Sequence, residues 1–138
     1  MKNAATSQID LNVKENNGLT GFHLACNDVC TELVKIFMEN AATLIFDPTA
    51  KSNNGLTAFH IACLKGRSEV VEILIENAAT FGIDLNTKDS CDMTALHIAC
   101  RRGHTDVIKI LIENAAKLSF DLNAKFKRNA VFMSIFHG

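Results

Sequence analysis

The stretch LTAFHIAC, residues 56–63, places a histidine and a cysteine three positions apart inside an apolar run. Nearly the same eight residues occur twice more, as LTGFHLAC at 19–26 and MTALHIAC at 93–100. The three histidines are 37 residues apart, and so are the three cysteines, so the chain contains an internal repeat. The segment is therefore either a chemical site present in three copies or a structural unit present in three copies.

Two further landmarks keep the same period. The motif ENAA begins at 39, 76 and 113, and an aspartate-containing triplet occurs as DLN at 10, 84 and 121 and as DPT at 47. These landmarks divide a single domain, 1–138, into repeated units. We assign a partial unit to 1–16, complete units to 17–53, 54–90 and 91–127, and a degenerate terminal unit to 128–138.

One unit, residues 55–90, predicts two helices joined by a tight turn. Thr57 is a good N-cap because its hydroxyl can accept a hydrogen bond from the otherwise unpaired amide near His60. The first helix then covers AFHIACLK, and Gly66 can end it in a left-handed conformation. We expect Ser68 to cap the second helix, with Glu69 favourably placed in its first turn. The corresponding pairs in the other units are Thr31–Glu32 and Thr105–Asp106.

Apolar residues of the second helix recur at helical spacing and form one stripe. The turn-forming segment GIDLNTKDS then leads to the next unit. Because neither helix can bury its apolar stripe alone, the units must stack on one another. The stripe consists of Val71, Leu74, Ile75, Ala78 and Phe81.

The pattern GLTAFHIACLKGRSEVVEILIEN…GIDLNTKD resembles the ankyrin repeat family, with T-x-x-H-x-A opening the first helix. The resemblance covers residues 1 to about 125 and implies an all-α solenoid of helix-turn-helix units with hairpin-like loops. The family's usual proline after the threonine is replaced by Gly21, Ala58 or Ala95. Each unit also exceeds the usual length of about 33 residues by about one helical turn. The extra residues, 41–44, 78–81 and 115–118, predict second helices that are one turn longer.

Both ends of the chain suggest a fragment of a longer array. NAAT at 3–6 matches the tail of a second helix, whereas Val131 and Ser134 stand where a further unit should have threonine and histidine. The apolar run AVFMSIF near the C-terminus predicts either a lone helix that covers the last groove or a terminus altered relative to the parent protein. This end is the candidate for fraying or self-association.

His-x-x-Cys on a helix supplies two ligands, which is half of a zinc site. Packed helices lie roughly 8 to 10 Å apart, so equivalent pairs from neighbouring units cannot converge on one ion. The cysteine is better interpreted as filling a small apolar slot. The resemblance implies that the histidine bonds the threonine cap and a neighbouring unit's loop. A cysteine–histidine nucleophile is equally disfavoured, since three buried copies would each have to be an active site. We therefore predict no metal, no cofactor and no enzymatic activity.

Composition narrows the remaining classes. Five cysteines, an odd number, fit buried free thiols in the cytoplasm, with the nucleus as an alternative, better than a disulfide framework. No apolar run approaches the roughly 18 residues of a membrane span. Because MKNAATSQID contains no apolar core, we expect no secretory signal. Residues 1–100 carry 7 Lys/Arg against 12 Asp/Glu, whereas residues 101–138 carry 7 against 3. The slightly acidic chain, without Tyr or Trp to stack on bases, argues against nucleic acid.

The resemblance also implies a binding surface on the concave side, formed by loop tips and the exposed ends of the first helices. This surface changes along the stack from polar and acidic to dibasic, which would suit a partner protein with an acidic segment. The asparagines could alternatively be simple loop formers, the apolar tips could pack beneath the loops, and the basic residues could be solvated surface. The predicted partner-binding residues are Asn16, Asn17, Leu19, Asp28, Asn53, Asn54, Leu56, Lys65, Ser90, Cys91, Met93, Arg101, Arg102, Lys127 and Arg128.

The predicted function is non-catalytic protein–protein recognition through the concave face. Two alternatives remain open at this stage. One is a structural spacer inside a longer array without a specific ligand. The other is an excised or engineered fragment without a separate role.

Overall fold

A computed structural model of the chain describes residues 9–28, 30–41 and 43–115. Within these residues the chain forms three pairs of helices and two short strands. The elements are β1 (Ile9–Asp10), α1 (Gly21–Asn27), α2 (Thr31–Glu39), β2 (Leu44–Ile45), α3 (Ala58–Lys65), α4 (Ser68–Phe81), α5 (Ala95–Arg102) and α6 (Thr105–Glu113).

The first helix of each pair begins at a threonine cap, as predicted. The hydroxyl of Thr57 accepts from the backbone N–H of His60 at 3.2 Å. In return, the backbone N–H of Thr57 donates to Nδ1 of the same histidine at 3.0 Å. This is a capping box in which histidine takes the place of the usual Glu or Gln. The same pair of bonds starts α1 and α5.

The predicted side-chain caps of the second helices are wrong. Ser68, Thr31 and Thr105 are the first helical residues, and no side chain caps these helices. The reason lies in the preceding turn. Gly66 is left-handed, at φ 70°, and the next amide, that of Arg67, bonds back to the Ala62 carbonyl at 2.9 Å. The carbonyl of Arg67 in turn accepts the first hydrogen bond of α4. Arg67 therefore occupies the N-cap position, and Ser68 is already the first helical residue.

The predicted extra turn of the second helix occurs in one unit and not in another. Helix α4 runs through residues 78–81 to Phe81, where Gly82 ends it at φ 68°. Helix α2 ends at Glu39, and its extra residues lead into β2 instead. Ile45 occupies the position that corresponds to Gly82. The left-handed conformation is costly for a β-branched residue, so Ile45 cannot end the helix as Gly82 does. In the third unit, α6 ends at Glu113 and residues 116–118 lie outside the described residues.

The helices stack in two layers. Helix α3 packs between α1 and α5, and α4 packs between α2 and α6. The predicted apolar stripe is buried in this contact, with Leu74 only 1% exposed, except for the partly buried Phe81. Four aromatic rings extend the core between the first two units, with neighbouring centroids 5.2 to 6.2 Å apart. They belong to Phe22, Phe37, Phe46 and Phe81.

The other repeated landmarks also make local bonds. The asparagine of each ENAA motif donates through its side chain to the carbonyl four residues earlier, at 2.7 to 2.8 Å. In the three triplets that the structure describes, Asp10, Asp47 and Asp84 each accept from the amide two residues later, at 2.8 to 2.9 Å. Such short-range bonds fix a turn where an element ends. The same local hydrogen bonds therefore recur every 37 residues.

Two left-handed glycines provide a test of how tightly adjacent loops are held. A Cβ at Gly55 (φ 78°) would lie 2.8 Å from the backbone nitrogen of Ser90 in the next loop, whereas a Cβ at Gly82 (φ 68°) would meet nothing within 4 Å. Gly82→Ala should therefore cost only the left-handed strain, about 1 to 2 kcal/mol. Gly55→Ala should cost more, since the adjacent loop must also move. Urea unfolding of both variants measures the difference, and equal losses would contradict this account of the loop contact.

Candidate functional site

Each unit presents one hairpin-like loop ahead of its first helix. The loops span 15–19, 52–56 and 89–93, and each is closed by a backbone bond of 2.9 Å. Within the loops, the side chain of residue 52 or 89 accepts from two backbone amides. Ser52 Oγ accepts from Asn54 and Leu56 at 3.2 to 3.3 Å, and Asp89 Oδ1 accepts from Cys91 and Met93 at 2.8 to 3.0 Å. The loops therefore share one shape.

Backbone bonds join each loop to the next. The amide of Asn53 donates to the Asn17 carbonyl at 2.9 Å, and the amide of Ser90 donates to the Asn54 carbonyl at 3.0 Å. The side chain of Asn53 adds a bond to the Asn16 carbonyl at 2.9 Å, and the Ser90 hydroxyl adds one to the Asn54 carbonyl. We call this set of bonds the loop ladder. It fixes the spacing of the loop tips along the stack.

The repeated histidine connects its own helix to the loop of the following unit. Nε2 of His23 lies 2.9 Å from the Leu56 carbonyl, and Nε2 of His60 lies 3.2 Å from the Met93 carbonyl. Nδ1 already accepts from a backbone N–H, so Nε2 must carry the proton and donate. Both ring nitrogens of these histidines are therefore used, as the sequence predicted. For His97, Nδ1 bonds Thr94 in the same way, at 3.1 Å.

Burial lowers the pKa of His23 and of His60 below its ordinary value of 6.5, although the carbonyls of Leu56 and Met93 partly oppose this shift. The geometry demands the same charge state. A protonated ring would turn Nδ1 into a donor facing the donor N–H of the threonine. These histidines are structural in their neutral form.

The repeated cysteine fills the core. Cys26 and Cys63 are fully buried and Cys100 is nearly so. Burial raises the pKa of Cys26 and Cys63 well above the ordinary 9.0, and raises that of Cys100 to about 11. A nucleophilic or metal-binding cysteine needs the thiolate form. The repeated cysteine is thus a buried core residue in all three units.

A hollow of about 440 Å³ lies between the second and third loops and the first helices. Its apolar wall includes the buried Ile98 and the partly buried Leu56, Leu64 and Met93. We call it the C-terminal hollow. The rest of the lining comes from Asn54, Asp89, Ser90, Cys91, Arg101 and Arg102. All of these except Asp89, together with Leu56 and Met93 of the apolar wall, belong to the predicted partner-binding residues, which makes seven in this hollow.

A smaller hollow of about 280 Å³, the N-terminal hollow, lies one unit earlier. Most of its lining residues stand 37 positions before a lining residue of the larger hollow. Asn27, Leu64 and Lys65 correspond in this way to Leu64, Arg101 and Arg102. The lining consists of Asn17, Leu19, His23, Asn27, Ser52, Asn54, Leu56, Ile61, Leu64 and Lys65. We call the two hollows together the groove.

The remaining predicted residues are placed differently. Asn16 and Asn53 lie exposed at the loop tips, where they take part in the loop ladder. Asp28 lies outside the groove, in a separate hollow of about 270 Å³ with Thr31, Arg67 and Glu69. Lys127 and Arg128 lie outside the described residues, as does the apolar run that predicted self-association.

Two sets of residues in or beside the groove were not predicted from the sequence. The first comprises Ile61 and Ile98, which are buried yet line the groove, and which the repeated apolar residue after the histidine could have indicated. The second comprises Arg67 and His104, which stand before the second helices. Arg67 donates to the Asn27 carbonyl at 3.1 Å, and His104 Nε2 lies 2.9 Å from the Leu64 carbonyl, so both connect to the preceding unit. No spacing signal distinguished this position, because the first unit has Cys30 there.

Within 9–28, 30–41 and 43–115, no group of three or more His, Cys, Asp or Glu side chains is arranged to hold a metal ion. None of the helices in this part of the chain is both long enough and apolar enough to cross a membrane.

Comparison with known proteins identifies the family. The family model for ankyrin repeats in three copies matches residues 2–89, and a second ankyrin repeat model matches residues 78–112. The chain therefore belongs to the ankyrin repeat family, and its all-α repeat solenoid is the predicted fold. Members of this family generally serve as protein–protein interaction modules and are typically non-catalytic. A search of curated proteins returned no match.

The buried histidines predict a stability that depends on pH. Their folded pKa lies below the ordinary 6.5, so below about pH 6.5 the unfolded chain binds more protons than the folded one. The contribution is fully present above pH 6.5 and is lost as the pH falls through the folded pKa. Urea unfolding should therefore give a lower free energy at pH 5 than at pH 7.5. His60→Gln, which cannot titrate, should reduce this difference, and an unchanged difference would contradict the assignment.

The five cysteines should divide into two classes by reactivity. Cys30 and Cys91 are exposed, whereas the three repeated cysteines are buried. Ellman's reagent should label two thiols rapidly in the native protein and all five after denaturation. The Cys30→Ser/Cys91→Ser double variant should show no fast phase in the native state. Rapid labelling of that variant would show that the repeated thiols are accessible.

Proposed function

We propose that this domain is a non-catalytic recognition module that binds a partner protein along the groove. One observation carries the proposal: two corresponding hollows stand in succession along the loop tips and first-helix ends, and the side chains at the first-helix ends differ between them. Thirteen of the fifteen residues predicted from the sequence lie in the described residues, and all of these except Asp28 are in the groove or at the loop tips beside it.

Main-chain hydrogen bonds hold the loop tips of the groove in place before a partner binds. The loop ladder and the histidine bonds hold the tips by main-chain contacts, so few torsions have to be ordered when a ligand arrives. A preformed surface reduces the entropic cost of association. This supports recognition by many modest contacts on a rigid surface.

Charge along the groove favours a partner with an acidic segment. The first-helix ends that line the groove change from Asn27, which is uncharged, through Leu64–Lys65 to Arg101–Arg102. Both arginines are exposed, and within the described residues neither makes an ion pair. We infer that the acidic segment faces the third unit, because opposite potentials steer association and fix its register.

The absence of catalysis is part of the proposal. The repeated histidines have both ring nitrogens engaged where the following loop is described, and the repeated thiols are held protonated by burial. These states suit a scaffold and leave neither a base nor a nucleophile at the repeated motif. The proposal therefore involves no cofactor and no resident metal.

A structural spacer is the second candidate function. The loop ladder supports it, because Asn53 uses its side chain, and Asn17 and Asn54 use their carbonyls, to bond within the stack. Asparagine at these tips is thus explained by loop formation as well as by ligand contact. The apolar wall of the C-terminal hollow favours the binder over the spacer, since a spacer has no need of it.

Free thiols support a reducing compartment as the working environment, and we propose the cytoplasm, with the nucleus as the alternative.

A comparative pull-down tests the groove. The domain, an Arg101→Glu/Arg102→Glu variant and a Lys35→Glu/Lys109→Glu control are each incubated with lysate of the source cells. The control reverses two exposed lysines on the second helices, away from the groove. We expect a partner that is retained by the domain and the control and is reduced at least about 10-fold in the arginine variant, because like charges are costly at an interface.

Circular dichroism must show equal helicity in all three proteins. Loss of the partner from both variants would indicate a general charge effect and contradict binding in the groove. If none of the three proteins retained a specific partner, the spacer would replace the recognition module.

A further inference from the structure

The two hollows of the groove occupy corresponding positions in successive units, so their lining residues can be compared directly. The smaller hollow has Asn27 where the larger has Leu64, and it has Leu64–Lys65 where the larger has Arg101–Arg102. In the loop, Ser52, Asn54 and Leu56 correspond to Asp89, Cys91 and Met93. In addition, Ser90 lines only the larger hollow, and His23 lines only the smaller one. The larger hollow measures about 440 Å³ against about 280 Å³ for the smaller one, and its wall is more apolar.

These exchanges change what each hollow can accept. In the N-terminal hollow, the side-chain oxygen of Asn27 is buried and has no hydrogen-bond partner among the described residues. An apolar group placed over it would seal off that acceptor, which is unfavourable. In the C-terminal hollow, Leu64 stands at this position, and Ile98 and Met93 continue the apolar wall. The volume of the C-terminal hollow also lies within the range of about 300 to 1,000 Å³ found for ligand sites, whereas the smaller hollow falls just below it.

The rim of the C-terminal hollow is suited to a carboxylate. Arg101 and Arg102 each offer a planar set of donors that can bind a carboxylate through two bonds, which lysine cannot do. Asp89, the one carboxylate in the lining, already accepts two loop amides through Oδ1. Within the described residues, no ion pair occupies the donors of these arginines.

We propose that the C-terminal hollow binds one apolar side chain of an extended segment of the partner protein, and that Arg101 and Arg102 bind an Asp or Glu close to it in that segment. The inference rests on the proposed function, whose binding surface it makes specific. Since an extended chain advances about 3.3 to 3.6 Å per residue, the carboxylate should lie within about two residues of the apolar anchor. The recognised element is thus a short apolar–acidic peptide motif.

The test uses random heptapeptides displayed on phage and selected on the purified full chain. Enriched peptides are synthesised with a fluorescein label, and their affinity is measured by fluorescence anisotropy. We expect an apolar residue with Asp or Glu one or two positions away. Changing that acid to its amide, or the anchor to alanine, should weaken binding about 10-fold, and high salt should weaken only the peptides that keep the acid.

Matched variants locate the binding in the hollow. Arg101→Leu/Arg102→Lys gives the C-terminal rim the residues of the N-terminal rim and removes one positive charge. Lys109→Leu removes one positive charge from the exposed side of α6 and serves as the control. Leu64→Asn gives the wall the residue of the smaller hollow. We expect the first and third variants to weaken the peptide about 10-fold and the control to leave it unchanged, with helicity checked by circular dichroism.

The possible failures can be told apart. The inference would be overturned if the enriched peptides lacked an apolar–acidic motif. It would also be overturned if they bound the arginine variant with the same affinity as the parent. Either result would leave recognition by the groove intact. If no peptide is enriched above an empty-phage control, the inference is also overturned. The proposed function then depends on the pull-down alone, since a folded partner can use surfaces that a peptide lacks.

Discussion

The whole stack depends on one small hydrogen-bonded arrangement, the threonine–histidine pair at the start of each first helix. Nδ1 of the histidine accepts from the threonine amide and so closes its own helix. Where the following loop is described, Nε2 donates to a carbonyl of that loop. One side chain thus joins local helix formation to the contact between units. The Nδ1 bond requires a neutral ring, because a protonated Nδ1 could not accept from the threonine amide, whereas Nε2 can donate in either charge state. The charge state of the histidine and the start of its own helix are therefore linked.

Much of the architecture could be predicted from the sequence, because its causes are local. The period, the threonine caps, the left-handed Gly66 and the histidine's two roles depend on residues within one unit or on the same position of the next. Features that depend on the exact path between elements were mispredicted. Ser68 has the composition of a cap, but the tight turn at Gly66–Arg67 starts the helix one residue too early for it. The extra turn required a left-handed stop, which Gly82 supplies and Ile45 does not.

The candidate site shows the same division. Alignment of the units identified the loop tips and the first-helix ends, because these positions have a fixed place in the repeat. It could not show that two hollows of different size lie between them, since hollow volume depends on how several side chains pack together. Nor could it show that Asp28 lies apart from the groove, near Arg67 and Glu69, although it is adjacent to Asn27 in sequence. Asn27 lines the groove, whereas the next residue, Asp28, lines the separate hollow, so two adjacent residues belong to different surfaces.

Geometry of the stack also limits how a partner can read the groove. Units related by helix packing lie roughly 8 to 10 Å apart, and an extended peptide advances about 3.3 to 3.6 Å per residue. A peptide lying along the groove therefore passes from one hollow to the next in about three residues. Its side chain at the N-terminal hollow would meet Asn27 and Lys65, whereas the side chain about three positions away would meet Leu64 and the two arginines. The two hollows occupy corresponding positions in the repeat but have different linings. If the proposed segment binds along the groove, we therefore expect the side chains at the first-helix ends to set its register and direction, because these side chains differ most between the two hollows.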